Sequence, residues 1–359
     1  MIRKFIMPGL LAIALLWLMF GMDREKPAQA QTLAMGTLVD ITVLGLGGQT
    51  NFAVANDALR TIRALEKQWH PDTVLSDGSS ELATLNQALQ AGSAVAVPTA
   101  LQSGFDAAAQ YTRSSAGLFD PAVGGLVKAW GFHSDREYRS TPPAPNVLAE
   151  LSQQAAFDQI YDGERVQGSR GLRLDFGAFA KGLLLQQTAD QIVAQHPQAA
   201  FLLNGGGDLV AVGERPGRPW RIAVRHPRLQ NRFLALISLH DGEAAFTSGD
   251  YERYFDAESA DGATAHYHHI LDPRSGWPAQ GTQSLTVLHA DAGLADAAST
   301  ALFVAGDDWP RLAAAMGVDA VLRVAADGRI EWTPAMAQRA ELTSEQNGAV
   351  PNAILRLLP

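Results

Sequence analysis

The sequence predicts helices and strands mixed in one large domain or two ordinary ones, behind an apolar N-terminal segment. Three observations predict it. The 359 residues are 47% hydrophobic and only 18% charged, enough apolar material for a buried core. Helical spacings and short aliphatic or β-branched runs both recur along the chain. The stretch from Phe5 to Met22 is broken only by Pro8, Gly9 and Gly21. Lys plus Arg total 28 against 37 Asp plus Glu, a net charge of -9, which gives no basic cluster for nucleic acid. With no cysteine, disulfides, thiolate zinc sites, a Cys nucleophile and a lipidated Cys are all excluded.

As a helix, the apolar stretch would cover roughly 27 Å, close to a bilayer core. Arg3 and Lys4 precede it and should stay cytoplasmic, which places the rest on the outer, periplasmic side of the inner membrane. Two readings stay open. Ala28-Gln29-Ala30 resembles a small-x-small cleavage site, whereas the segment's length and the charged run Asp23-Arg24-Glu25-Lys26 suit an uncleaved anchor.

Leu33–Leu44 reads as one strand ended by Gly45-Leu46-Gly47-Gly48. Phe52, Ala55, Leu59, Ile62, Leu65 and Trp69 give a helix over 51–69, stopped by Pro71. Further helices are expected over 80–89 and 98–115, and a proline-rich loop over 141–145. Then come a strand at 171–175, a helix at 180–195, and strands at 200–203, 209–212, 220–224, 234–239, 244–246, 269–271 and 284–289. A helix over 294–304, then a helix and strand within 309–324, complete the domain. Residues 1–30 form the signal or anchor, 31–335 the domain and 336–359 an extension ending in a surface tail from Pro351.

Five islands set glycine or small residues beside polar groups. Asp175-Phe176-Gly177-Ala178-Phe179-Ala180-Lys181-Gly182 is a strand end, turn and helix start, where free N–H groups and a lysine suit an anion. Asn204-Gly205-Gly206-Gly207-Asp208 reads first as a tight hairpin, and second as a close approach to a ligand. In Thr247-Ser248-Gly249-Asp250, Ser248 could bind a phosphate oxygen or cap the turn. In His266-Tyr267-His268-His269-Ile270, strand alternation would separate His268 from His269, so a general base is a better reading than zinc. Asp296 and Thr300 stand four apart on one helix face, hard oxygen donors suited to Mg²⁺; taken alone, an Asp cap and a back-bonded Thr explain them better. Together the islands point to metal-assisted phosphoryl chemistry.

In this order the islands resemble the ApbE family of FAD:protein FMN transferases. Met35-Gly36-Thr37, Ser80-Glu81-Leu82-Ala83-Thr84-Leu85-Asn86, Phe119-Asp120-Pro121 and Trp130-Gly131-Phe132 support the likeness, which runs from Met35 to about Gly306. It implies an α+β fold, mixed in a single large catalytic domain, with FAD in a cleft and Mg²⁺ at its pyrophosphate. It also implies transfer of FMN to a Ser or Thr of an exported or membrane-bound acceptor protein, with release of AMP. Met35, Trp130, Gly131, Phe132, Asp175, Lys181 and Ile270 would contact FAD, with Trp69 near an aromatic that flanks the flavin. Asp296, Thr300 and the carbonyl of Ala178 would hold the metal, and His269 falls at the catalytic histidine. The family's lipoproteins carry an N-terminal Cys, so anchoring here rests on Phe5–Met22. An FAD pyrophosphatase, in which water attacks, and a non-catalytic flavin-binding module are the alternatives.

Overall fold

The computed structural model describes residues 27–72, 80–133, 139–215, 218–258, 262, 264–343 and 356–357. The apolar segment 5–22 and the charged run after it lie outside the described residues. Among the described residues no helix is long and apolar enough to cross a membrane.

Nine strands form one sheet in chain order: β1 (Ala28–Ala34), β2 (Thr37–Leu44), β3 (Ala200–Gly205), β4 (Asp208–Val212), β5 (Glu243–Gly249), β6 (Thr282–His289), β7 (Ala320–Ala325), β8 (Ile330–Trp332) and β9 (Arg356–Leu357). Neighbours are antiparallel except β8 and β9, which run parallel. Everything else is carried on the connections of this meander.

Strand alternation sends side chains to two different layers. Val210, Ala244, Phe246, Leu285 and Val287 face helices α1 (Gly48–Trp69), α2 (Ala180–Gln195) and α3 (Ala292–Ala305). Leu209, Ala211, Ala245, Leu288, Leu322 and Val324 face a second sheet made from residues 220–225, 233–239 and 340–342. α3 is buried on nearly every side, which its run of alanines permits. A third cluster around Leu126, Trp130, Leu148 and Leu271 supports the hairpin that follows β5.

The α+β expectation holds, with local corrections. Leu33–Leu44 is not one strand but the β1–β2 hairpin, turning at Met35 and Gly36 with φ 54 and 68; a methionine at positive φ gives no turn signal. Residues 171–175 form no ladder, because the Asn86 amide takes both backbone groups of Leu174 at 2.8 and 2.9 Å. His269–Leu271 is not a strand: the strand is Thr264–His268, paired with Tyr254–Glu258, and His269 lies just past its end. Pro145 belongs to no loop; it opens the helix Pro145–Leu151 at a first-turn position, where its missing N–H costs nothing. Among the described residues the sheet already includes Ala28 to Ala30, and beyond 335 Met336 is core and Ala340–Leu342 form a strand. Of the expected tail, Arg356–Leu357 adds to the sheet beside β8, and its other residues lie outside those described.

Candidate active site

α2 starts where the Phe176 carbonyl accepts the N–H groups of Phe179 (2.9 Å) and Ala180 (2.7 Å). Phe176 and Phe179 are buried against Trp69, which anchors the turn. Asp175, at the same turn, accepts the Gly177 N–H at 2.7 Å. Lys181, in the first turn, pairs its ammonium with the Asp208 carboxylate at the start of β4. The other Asp208 oxygen accepts the Thr247 N–H at 3.0 Å. Gly182 N–H, one of the first-turn groups that has no partner inside the helix, donates to Asp296 Oδ2 at 2.8 Å.

Asp296 is buried on α3 and does not cap it; Asp291 does, accepting the Leu294 N–H at 3.0 Å. The simple capping explanation of Asp296 therefore fails. Ser248 reaches across from β5, its hydroxyl 2.8 Å from Ser299 Oγ and 3.2 Å from Thr300 Oγ1. It spends its hydroxyl on α3 rather than on its own turn. Burial pushes Asp296 above the usual carboxylate range; Lys181 pulls it down, and Asp208 pushes it up again. Burial would lower Lys181, but Asp208 and Asp296 together hold its proton more tightly than usual. A cation close to both carboxylates is what this arrangement favours.

The glycine island is the tight hairpin first read from it. Gly206 and Gly207 turn at φ 73 and 106, and the Gly207 N–H donates to Asn204 Oδ1 at 2.8 Å. Its end nonetheless delivers Asp208 to the lysine.

His268 is core: Nε2 lies 2.9 Å from the Ala279 carbonyl, and its ring packs edge-on to Phe303 at 5.6 Å. His266 is committed to Asp256 and to the Asp250 carbonyl at 2.8 and 3.0 Å. Among the described residues no three His, Asp or Glu gather as a metal group. His269 donates its N–H to the Arg253 carbonyl at 3.0 Å, and its Nδ1 lies 3.3 Å from the same oxygen. A carbonyl only accepts, so this contact puts the ring proton on Nδ1 and leaves the Nε2 lone pair for a base. Burial, helped by His268, Arg253 and Lys181, pushes His269 down to about 3, so the ring is neutral. Lys181 thus acts on both His269 and Asp296.

Phe132 meets the His269 ring edge-on at 6.4 Å and stacks on Trp130 at 6.3 Å. Gly131, at φ 80, makes the left-handed helix end that turns Phe132 toward the histidine. Trp130 is buried with Nε1 on the Gly276 carbonyl at 2.7 Å, and Ile270 is buried beside it in sequence to His269. The Met35 N–H donates to Glu66 Oε1 at 2.6 Å, and its Cε lies 3.5 Å from where a Gly205 Cβ would stand, next to Asp208. Phe132 and His269 pack together, Ser248 meets Thr300, and Lys181 acts electrostatically on both His269 and Asp296. Trp69 is the exception: its ring is enclosed by Phe105, Phe176 and Phe179, so it holds the α2 turn from behind. Asp208, Ser299 and Glu66 were not singled out in the sequence. Asp208 stood inside the glycine island and Ser299 beside Thr300, whereas Glu66 carried no local signal.

Fold and side chains together define an α+β protein in which a lysine pairs with one carboxylate and acts electrostatically on a second, buried carboxylate and on an imidazole. A profile of the ApbE family matches residues 35–322, and the chain belongs to that family. A Rhodobacter capsulatus protein named FAD:protein FMN transferase is 41% identical over 85% of this chain; the match spans 57% of that relative's length. A Treponema pallidum protein of the same name is 30% identical over 80% of this chain and 81% of its own. The crystal structure of the Thermotoga maritima ApbE protein superposes with a TM-score of 0.75 at 30% identity, covering 88% of this chain and 99% of that one. The apo flavinyl transferase ApbE of Pseudomonas stutzeri gives 0.71 at 27%, covering 89% and 99%.

Proposed function

We propose that the protein is a Mg²⁺-dependent FAD:protein FMN transferase that moves FMN from FAD to a Ser or Thr hydroxyl of an acceptor protein and releases AMP. The observation that carries this reading is the Lys181–Asp208 pair, whose lysine charge acts both on buried Asp296 and on a neutral His269 with Nδ1 held at the Arg253 carbonyl. Lys181 offers its charge to the pyrophosphate. His269 Nε2 takes the proton of the acceptor hydroxyl, whose oxygen bonds to the flavin-side phosphorus as the bond to the AMP phosphate breaks. Phe132 packs edge-on against the ring.

The donor set fits a hard cation. Asp296 would supply one carboxylate, Thr300 a hydroxyl one turn on, and Ala178, just before α2, its carbonyl. A single carboxylate with neutral oxygens suits Mg²⁺ that completes its shell with substrate phosphates. When bound, the ion would spread the charge of the pyrophosphate.

Export and anchoring belong to the same proposal. Arg3, Lys4 and the apolar segment support export. Cleavage after Ala30 would remove residues 28–30, which pair with Val43, Thr42 and Ile41, and this favours retention as an anchor. The intact mass of the exported protein tests it; an N-terminus at Gln31 refutes retention. Transfer itself is tested by incubating the protein with FAD, Mg²⁺ and exported proteins: covalent FMN on a Ser or Thr supports it, and free FMN alone refutes it.

A further inference from the structure

We propose that Ser248 and Ser299 are positioning residues for Thr300. They fix the Thr300 hydroxyl hydrogen away from any ligand, so that Oγ1 offers only lone pairs and receives a cation rather than a phosphate oxygen. The inference rests on the Mg²⁺ reading above and adds how a neutral hydroxyl becomes committed to the ion.

Each hydroxyl has one hydrogen to give. Ser299 Oγ lies 2.8 Å from the Asp296 carbonyl, which only accepts, so the Ser299 hydrogen is spent there. Ser248 Oγ lies 2.8 Å from Ser299 Oγ, and with Ser299 committed Ser248 must be the donor. The contact of 3.2 Å between Ser248 and Thr300 then takes the Thr300 hydrogen. The chain therefore runs one way, from Thr300 to Ser248 to Ser299 to the Asp296 carbonyl. The oxygen at its open end keeps lone pairs and has no hydrogen left to donate.

Packing of β5 on α3 sets this order. Ser248 lies on the face of β5 that carries Ala244 and Phe246 into the helical layer. Asp296, Ser299 and Thr300, three and four residues apart, share one side of α3. Ser299 is only 1% exposed, whereas Thr300 is partly exposed. The carbonyl end of the chain is thus sealed in the core, and only the lone-pair end can meet a ligand. A helical threonine commonly returns its hydrogen to the carbonyl four residues back; here Ser299 takes that carbonyl and Thr300 turns to β5. Bonds in such a chain polarise one another, so a ligated Thr300, as a better donor, tightens the bonds beyond it. A phosphate oxygen at Thr300 would instead need the hydrogen that Ser248 already accepts. By the same count Ser248 has no hydrogen for the pyrophosphate, and its part is to orient Thr300.

Ser248→Ala and Ser299→Ala break the chain, while Ser248→Thr keeps its hydroxyl. Mg²⁺ is titrated by calorimetry into each full-length protein saturated with FAD. FAD affinity is read by flavin fluorescence in chelator, and stability by thermal melts in chelator. The expected result is Mg²⁺ affinity lower by about 10-fold in both alanine variants and within three-fold of the parent in Ser248→Thr. FAD affinity in chelator should stay within two-fold of the parent in all three. Mg²⁺ affinity within two-fold of the parent in both alanine variants overturns the proposal, and so does Ser248→Thr binding as weakly as Ser248→Ala. Loss of FAD affinity in chelator by Ser248→Ala also overturns it, because that assigns the Ser248 hydrogen to the dinucleotide. A parent that binds no Mg²⁺ in the presence of FAD refutes the metal reading itself, and the role of the chain with it.

Discussion

Gly182→Ala tests whether the spacing of two helices aims the site. A Cβ on Gly182 would press on the Ala292 carbonyl oxygen and stand 2.8 Å from its carbon and 2.9 Å from Asp296 Cβ. Ordinary contact lies beyond 3.4 Å, so α2 and α3 must part by about 1 Å to restore van der Waals distances. Overpacking of this kind costs about 1–3 kcal/mol. Losing the bond from Gly182 N–H to the buried carboxylate costs about 1.5–3 kcal/mol more. Alanine's better helix propensity returns about 1 kcal/mol. The net is a loss of about 1.5–5 kcal/mol, or roughly 3–20 °C in Tm. Asp296, Ser299 and Thr300 all ride on α3, and a 1 Å displacement of reacting groups can cost about 10²-fold in rate. Circular-dichroism melts and FMN incorporation at 20 °C, where the variant stays folded, give the two readouts. A variant that melts with the parent and transfers FMN within three-fold of it would refute the idea that close helix contact aims the carboxylate.

His269→Ala should keep FAD binding and lose transfer, measured by flavin fluorescence and covalent FMN; full activity would remove His269 from the reaction. Because the ring works unprotonated, the rate falls as pH drops through its pKa, which burial and nearby cations hold at about 3 in the free protein. The anionic dinucleotide raises that value, so the acid limb of kcat should lie at higher pH than the limb of kcat/KM; coincident limbs would contradict this. Chelation should abolish transfer and added Mg²⁺ restore it, while Asp296→Asn should raise the Mg²⁺ concentration for half-activity at least ten-fold. Arg323→Met should cost about 1–3 kcal/mol in urea melts, because the buried guanidinium donates to the Gly281 carbonyl and the Thr282 hydroxyl, while Glu331, its partner at 2.7 Å, keeps Arg329 at 2.9 Å. Asp307→Ala, which removes an exposed partner of the same arginine at 3.0 Å, should cost under about 1 kcal/mol.

What the sequence revealed were features whose cause is local. The spacing of apolar residues placed α2 at Ala180–Gln195, where the structure has it, and the small residues around Asp296 placed α3. The strands over 209–212 and 284–289 followed from aliphatic alternation and extend by only one or two residues. Errors arose where tertiary contacts replaced local ones. Asn86 satisfied Leu174 in place of a neighbouring strand, and a positive φ at Met35 depended on Glu66 receiving its N–H. The resemblance set Trp69 near an aromatic that flanks the flavin, but phenylalanines from 105, 176 and 179 surround it.

The site shows the same division more sharply. Its residue types were legible, yet the explanation preferred for Asp296 in isolation, a helix cap, was wrong because the cap was already Asp291. Nothing local predicts that a backbone N–H at 182 will find a carboxylate 114 residues away. That bond forms because Gly182 and Ala292 let two helix backbones touch, which any larger residue at 182 would prevent. The same closeness buries Asp296 and raises its pKa, Asp208 raises it further, and the Lys181 charge works against both. The small residues of α2 and α3 are therefore part of the chemistry as well as the packing: they set the depth at which the carboxylate sits, and that depth makes a cation beside it favourable.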